Sequence, residues 1–469
     1  LLAFFRINDP YRLIGIFLLI ILVRLPFFFS DMPLIVPELE WMLVGESISF
    51  SRILYLDVWD DIAPLSALVY SLIDSIAGRT QWGYQIMAIL VLLLHCYLFN
   101  QLLISNKAYK ENTYVPALIY VVLMSAFFDF FTLSPALMSG VFQLYVINGI
   151  FHHVAVKSRD EQFLNMGLAL GLSALLYLPA LVYLPVTLLA LGLYSSMTFK
   201  KYILLIFGFS FPVVLVGIFF FWHGALVDFF ESYFLSWTLG PFREFIGLRS
   251  LWFISVTALL LLVLSWVKIY SAGRYNNHQT NYMLVMLLFL AAAFVMIFLN
   301  RERVPHQLMV FTTPVAFFIS HYFLLIRRKL LAELVFIGFV AIYLIINNGV
   351  LYRFMVPPDL LDIQALVVQP TRWDQLVEGR RILIVGEDPA AYLHAYPATP
   401  YLNWNLSRKH LARANAFDNL SMIYNNLSSD TPEVIIDQQN MVPALFKQMP
   451  TIASRYIRQD DTYMLKPNN

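Results

Sequence analysis

The sequence predicts an all-α polytopic membrane protein of about eleven transmembrane helices, N-terminus in and C-terminus out, with a small C-terminal extramembrane α/β domain. Three observations predict it. Of 469 residues, 59% are hydrophobic and only 13% charged, with a mean hydropathy of +0.69. A soluble domain carries about 25% charged residues, so this chain has too little polar surface to cover itself in water. Apolar runs close to the roughly 20 residues that cross a bilayer recur along it. Beyond residue 356 the sequence turns polar and its apolar runs shorten to strand length.

Spans are expected at about 13–30, 82–104, 113–131, 136–155, 163–178, 180–196, 202–222, 251–269, 281–299, 308–325 and 330–350. Pro64–Gly78 is apolar but short, flanked by Asp61 and Arg79, and reads as an interfacial helix. Charge bias supports this parity. With the N-terminus inside, the inner loops receive Arg6 and Arg12, Lys107 and Lys110, Lys157 and Arg159, Lys200 and Lys201, Lys268 and Arg274, and Arg327–Lys329. Basic residues mark the side that is not translocated, and a twelfth span at 64–78 would invert the pattern. The first apolar run ends in "RLPFFFSDMP", without a small-residue cleavage site, and is expected to stay as an anchor. The single cysteine, Cys96 in "ILVLLLHCYLFN", reads as packing and excludes an internal disulfide. A net charge of +1 gives no basis for a nucleic-acid partner.

Two domains follow: a membrane domain over 1–356, with an outer loop at 31–81, and a small outer α/β domain over 357–469, begun by Pro357 and Pro358. "RRILIVGED" and "PEVIIDQQ" read as short buried strands, "DPAAYLHAY" as a helix start, and "ASRYIRQDDTYMLKP" as a closing hairpin. "VGEDP" lacks the glycine spacing of a dinucleotide loop.

The polar residues concentrate in the outer loops. Glu38, Glu40 and Glu46 lie on an expected interfacial helix, with Trp41 suited to the headgroup level, and Asp57, Asp60 and Asp61 follow in "ILYLDVWDD". A carboxylate at a membrane edge can act as general base or ligate a divalent cation; an outside loop that simply carries charges is the plainer reading. Arg301, Arg303 and His306, in "NRERVPHQ", run against the charge bias and suit a phosphate, or else anchor the neighbouring spans by snorkelling. Arg24, near the end of the first span, implies either a partner or outward snorkelling. The loop 223–250 is aromatic and amphipathic, suited to lie on the membrane or cover a lipid groove. His223, Asp228 and Glu231 within it lack metal-ligand spacing, and no metal site is assigned.

On these residues the chain resembles the integral-membrane glycosyltransferases of the GT-C fold, of the protein mannosyltransferase and lipid A aminoarabinose transferase kind. "SRILYLDVWDDIAPLSALVY" at 51–70 is similar to their "G-x-L-Y-x-D-x-W-D-x-K-P-P-L" pattern, and "RVPHQLMVFTTPVAFFISHY" at 303–322 to a late "R-x-x-H-Y-x-x-x-x-x-P" segment. The resemblance implies transfer of a sugar from a polyprenyl-phosphate donor to an acceptor on the outer face of a bacterial inner membrane, with the C-terminal domain periplasmic. By it, Glu38, Glu40 or Asp57 is the catalytic carboxylate and Arg301, Arg303 and His306 hold the donor phosphate. Tyr55, Trp59, Asp60 and Asp61 support the loop. The chain departs from the pattern at Pro37, where the family has the aspartate of "D-E-x-x-Y-x-x-x-A", and at Ala63, where it has lysine. It also lacks an acidic residue in "TLSPALMS", Asp129 lying earlier. An inactive GT-C-fold scaffold or lipid-binding subunit, meeting protein partners through its outer loops and C-terminal domain, is the alternative. A transporter fits less well, because the spans are nearly free of charge.

Overall fold

The computed structural model describes residues 1–30, 32–156, 159–195, 197–272, 275–352, 360–413 and 416–467. Lys157, Arg274, Pro357, Pro358 and the boundary expected at 356/357 lie outside the described residues. The chain forms two compact units. Unit 1 comprises Leu1–Pro33, Tyr84–Val216 and Glu244–Ile363; unit 2 comprises Leu34–Gly83, Gly217–Arg243 and Gln364–Asn469.

Up to Tyr352 the α-helices of eight or more residues among the described residues are, in chain order, α1 (Arg12–Phe29), α2 (Val36–Ser49), α3 (Pro64–Ala77), α4 (Gln81–Ser105), α5 (Val115–Leu123), α6 (Pro135–Ala155) and α7 (Asp160–Leu176). There follow α8 (Tyr183–Tyr194), α9 (Phe199–Trp222), α10 (Leu248–Ala272), α11 (Asn277–Leu299), α12 (Thr312–Leu325) and α13 (Lys329–Tyr352). Seven helical stretches among the described residues are long and apolar enough to cross a membrane: α1, α4, α9, α10, α11, α13, and α12 with the 3₁₀ turn Pro305–Phe311 before it. Each falls on a predicted span. The other four predicted spans fall on α5, on α6, on α7, and on α8 with the 3₁₀ turn Leu178–Val182. In unit 1, α12 packs against α10 and α5, and α6 against α7. Its side chains are buried almost throughout, including Phe317, Phe318 and Ile319. The predicted 113–131 span is interrupted: α5 ends at Leu123, and the chain turns before a 3₁₀ segment, Phe128–Phe131.

Unit 2 holds a five-stranded sheet of β1 (Arg381–Val385), β2 (Tyr396–Pro397), β3 (Val434–Asp437), β4 (Tyr456–Gln459) and β5 (Thr462–Leu465), in the order β2-β1-β3-β5-β4. β1 runs parallel to β2 and β3, while β4 and β5 form an antiparallel hairpin against β3. The strands predicted in "RILIV" and "VIID" and the closing hairpin are therefore present. Continuous apolar runs make buried strands, and both faces of β1 and β3 are covered. "AAYLH" forms a 3₁₀ turn, Ala390–His394.

One covering layer differs from the sequence reading. α2 packs into the sheet's core: Leu39 and Leu43 are in the same core as Ile382, Ile384, Val434 and Ile436. Trp41 is buried and stacked on Tyr70, with ring centroids 5.7 Å apart, so it does not reach headgroups. α2 is buried along most of its length, and a helix covered on several sides packs against protein. α3 packs against α2 and, at 14 residues, is about 21 Å long, too short to cross a bilayer core upright.

Candidate functional site

Within unit 2 each predicted acidic side chain has a defined partner. Glu38 is fully buried in the first turn of α2, where its carboxylate accepts from Gln81 Nε2 at 3.1 Å. Glu40 forms a two-toothed ion pair with Arg243, at 2.6 and 3.1 Å, the fork geometry that holds a carboxylate most firmly. Arg79 donates to Glu46 at 3.2 Å and to the carbonyls of Ala395 and Leu393. Burial raises the Glu46 carboxyl above its usual range, opposed by Arg79.

The loop after α2 answers why three aspartates sit together. Asp57 accepts from the Ile53 amide at 2.9 Å and closes its own turn. Asp60 is buried and accepts from the Ile62 amide at 2.9 Å, just ahead of α3. Burial, with the charges of Asp61 and Glu40 nearby, pushes the Asp60 carboxyl well above the usual range. Asp61 accepts from Asn403 Nδ2 at 3.0 Å. Trp59 between them is bonded through its backbone on both sides, its amide to Pro400 O and its carbonyl to the Asn403 amide, and its ring meets Tyr401 edge-on. Tyr55 takes a left-handed φ of 70°. Its hydroxyl donates to Ile62 O at 2.7 Å and its ring packs against Phe220 and Phe229. The loop is thus tied through the Trp59 backbone to the segment Pro400–Asn403 that follows β2, and its carboxylates serve amide donors.

Within unit 1 two residues meet that the sequence keeps 177 positions apart. His306, on the 3₁₀ turn Pro305–Phe311, directs its ring Nδ1 at Asp129, 3.0 Å from Oδ1 and 3.1 Å from Oδ2. Its amide donates to Asp129 Oδ2 at 2.6 Å. Both side chains are buried. A carboxylate on Nδ1 favours the tautomer that carries its proton there and fixes the orientation of the ring. Arg303 pairs with Glu244 at 2.6 Å, and Arg301 is exposed. Asn300 Nδ2 donates to the Tyr177 hydroxyl at 3.1 Å.

Sequence reasoning named His306 and missed its partner. The signal was there: "FFDFF" puts one carboxylate inside an apolar stretch, and an ionisable residue in such a place is a candidate functional residue. The partners Arg243, Gln81 and Glu244 carried no sequence signal, because each pairing needs the tertiary fold. No group of three or more His, Cys, Asp and Glu side chains suited to a metal ion occurs among the described residues.

No family model matches the chain, and no curated protein is significantly similar to it in sequence. Solved structures are similar in fold. ArnT from Cupriavidus metallidurans, bound to undecaprenyl phosphate, matches 95% of this chain and 89% of its own, with a TM-score of 0.54 and 11% identity. The archaeal oligosaccharyltransferase AglB from Archaeoglobus fulgidus, in complex with an inhibitory peptide and a dolichol-phosphate, matches 98% and 74%, with a TM-score of 0.51 and 10% identity. An apo structure of the Archaeoglobus enzyme matches at 0.52, over 96% and 73%, with 10% identity. The chain therefore has the fold of the GT-C membrane glycosyltransferases over most of its length.

Proposed function

We propose that the protein is a GT-C-type glycosyltransferase that moves a sugar from a polyprenyl-phosphate donor to an acceptor on the outer face of the bacterial inner membrane. One observation carries this reading: a chain with the fold of a structure bound to undecaprenyl phosphate contains a buried Asp129–His306 dyad in its helical unit. Fold alone would be analogy; the dyad is the chemistry. In the reaction the bond between the anomeric carbon and the phosphate oxygen breaks, the acceptor oxygen bonds that carbon, a base takes the acceptor proton, and polyprenyl phosphate leaves. His306, with Arg303 and Arg301, serves the phosphate side. Glu38 or Glu40 serves the acceptor side. The eleven-span arrangement, the division at 356/357 and a periplasmic C-terminal domain belong to the same proposal.

A second reading, a scaffold that kept the fold and lost the reaction, draws on Pro37 and Ala63 at the motif departures and on the partners found for Glu38, Glu40, Asp57 and Asp61. The two separate in one experiment. The protein is reconstituted in liposomes with undecaprenyl-phosphate-linked sugars, and release of undecaprenyl phosphate is measured. We expect turnover, reduced about 10²-fold or more in His306→Ala and Asp129→Asn. No turnover by the wild type with any donor, although it binds the lipid, would establish the scaffold.

A further inference from the structure

α5 ends at Leu123, and the segment Met124–Ser134 joins it to α6. Irregular backbone shielded from water needs donors for its carbonyls. Two buried side chains from other helices supply them. Asn347 of α13 donates from Nδ2 to Ser125 O at 2.9 Å. Arg24 of α1 donates from Nη1 to Phe131 O at 3.0 Å. Between those two carbonyls in the chain stands Asp129, the acid of the dyad.

A neutral amide suffices for Ser125 O. At Phe131 O the fold buries a guanidinium instead, 3% exposed, with Nε and Nη2 lacking acceptors among the described residues. A guanidinium keeps its charge, and burying a charge for the sake of one carbonyl is costly. Stability alone would select a neutral donor there. The guanidinium adds a second hold on the same residue, because it lies over the Phe131 ring, 4.7 Å from the centroid. Phe27 of the same helix meets Phe131 edge-on at 5.3 Å and stacks on Phe128 at 6.4 Å. The four-residue turn Phe128–Phe131 is thus gripped at its last carbonyl and at rings before and after Asp129.

The dyad needs that grip. Asp129 Oδ2 accepts from the His306 amide while both carboxylate oxygens face the ring Nδ1, and a small rotation of the turn would break the set. We propose that Arg24 is a positioning residue of the dyad: it fixes the turn that aims the Asp129 carboxylate at His306. It acts through Asp129. The effect on turnover rests on the transferase reading; the effect on His306 does not.

The test uses the full chain in detergent with ¹⁵N-labelled histidine rings, the His306 signals being assigned by their loss in His306→Gln. The wild-type ring is expected as one tautomer, protonated at Nδ1. Arg24→Met keeps the length and loses every donor. It is expected to shift the His306 signals toward those of Asp129→Asn, with Arg24→Lys between, while the other histidines keep theirs. Turnover in the liposome assay should fall about tenfold or more in Arg24→Met, since small misplacements of catalytic groups cost at least that. Adding Arg24→Met to Asp129→Asn should cost nothing further. The proposal is overturned if His306 in Arg24→Met matches the wild type, if all histidine signals move together, or if the two losses of turnover multiply. A wild type without turnover sinks the transferase reading and leaves the histidine signals to decide this one. Should Arg24→Met fail to fold, Arg24→Lys decides by the same signals. Its ammonium is a point donor that cannot hold the carbonyl and cover the ring at once, so wild-type His306 signals there would overturn the proposal.

Discussion

At the scale of single residues, burial decides what each carboxylate can do. Asp60 sits with Asp61 and Glu40 in a site that disfavours its charge, so the folded protein holds a proton that the unfolded chain has released. Stability then depends on pH with a fixed sign. The contribution is full below the ordinary carboxyl value of about 4. It is lost as pH rises through the raised value, because the native state binds more protons over that window. Asp60→Asn keeps an oxygen for the Ile62 amide and has no proton to lose. Denaturant unfolding at a series of pH values should show the wild type losing stability toward alkaline pH, with that part of the slope absent in Asp60→Asn. An unchanged slope would mean that Asp60 is ionised in the fold. Asp57 differs in kind: it closes a local turn, and its place in a family-like motif does not make it reactive.

At the scale of elements, close approach sets the fold. An added Cβ at Gly45 would stand 2.8 Å from the Tyr70 backbone carbonyl, so the crossing of α2 and α3 depends on glycine there. Gly45→Ala is expected to destabilise the protein by about 1–3 kcal/mol, because a backbone neighbour cannot rotate away. A melting temperature equal to or above that of the wild type would refute this. Gly167 of α7 and Gly208 of α9 make a similar crossing in unit 1, each facing the other helix's backbone; such small-residue contacts let membrane helices approach closely. The helices themselves were legible as apolar runs. Which of them touch was not, since lipid and protein accept the same apolar face.

At the scale of the whole molecule, the chain returns late to complete what it began early. Asp430, before β3, accepts from Arg52 at 2.7 Å and from the Thr399 amide at 2.9 Å, and it pairs with Arg381. One carboxylate thereby ties the start of the acidic loop to the sheet. Asp430→Ala should leave the partly buried Arg52 and the exposed Arg381 without that partner and loosen the loop. Hydrogen exchange of the Ile53–Ile62 amides is expected to speed up by tenfold or more, while β1 and β3 stay protected. Exchange unchanged across the loop would show that the Trp59 backbone bonds hold it alone.

The sequence by itself determined the membrane class, the long apolar helices and the late sheet region with its two buried strands and closing hairpin. These follow from composition and period, which act within a window of some 20 residues. The motif near Tyr55 and Trp59 and the segment around His306 also carried the resemblance that the fold bears out. Tertiary structure alone decided that α2 belongs to a sheet domain's core and that Asp57, Asp60 and Asp61 serve amides and an asparagine. It alone placed Asp129 on His306 and left Arg24 buried with two donors open. Hydrogen bonds between side chains distant in sequence are set by packing, and packing leaves no period in the chain to read.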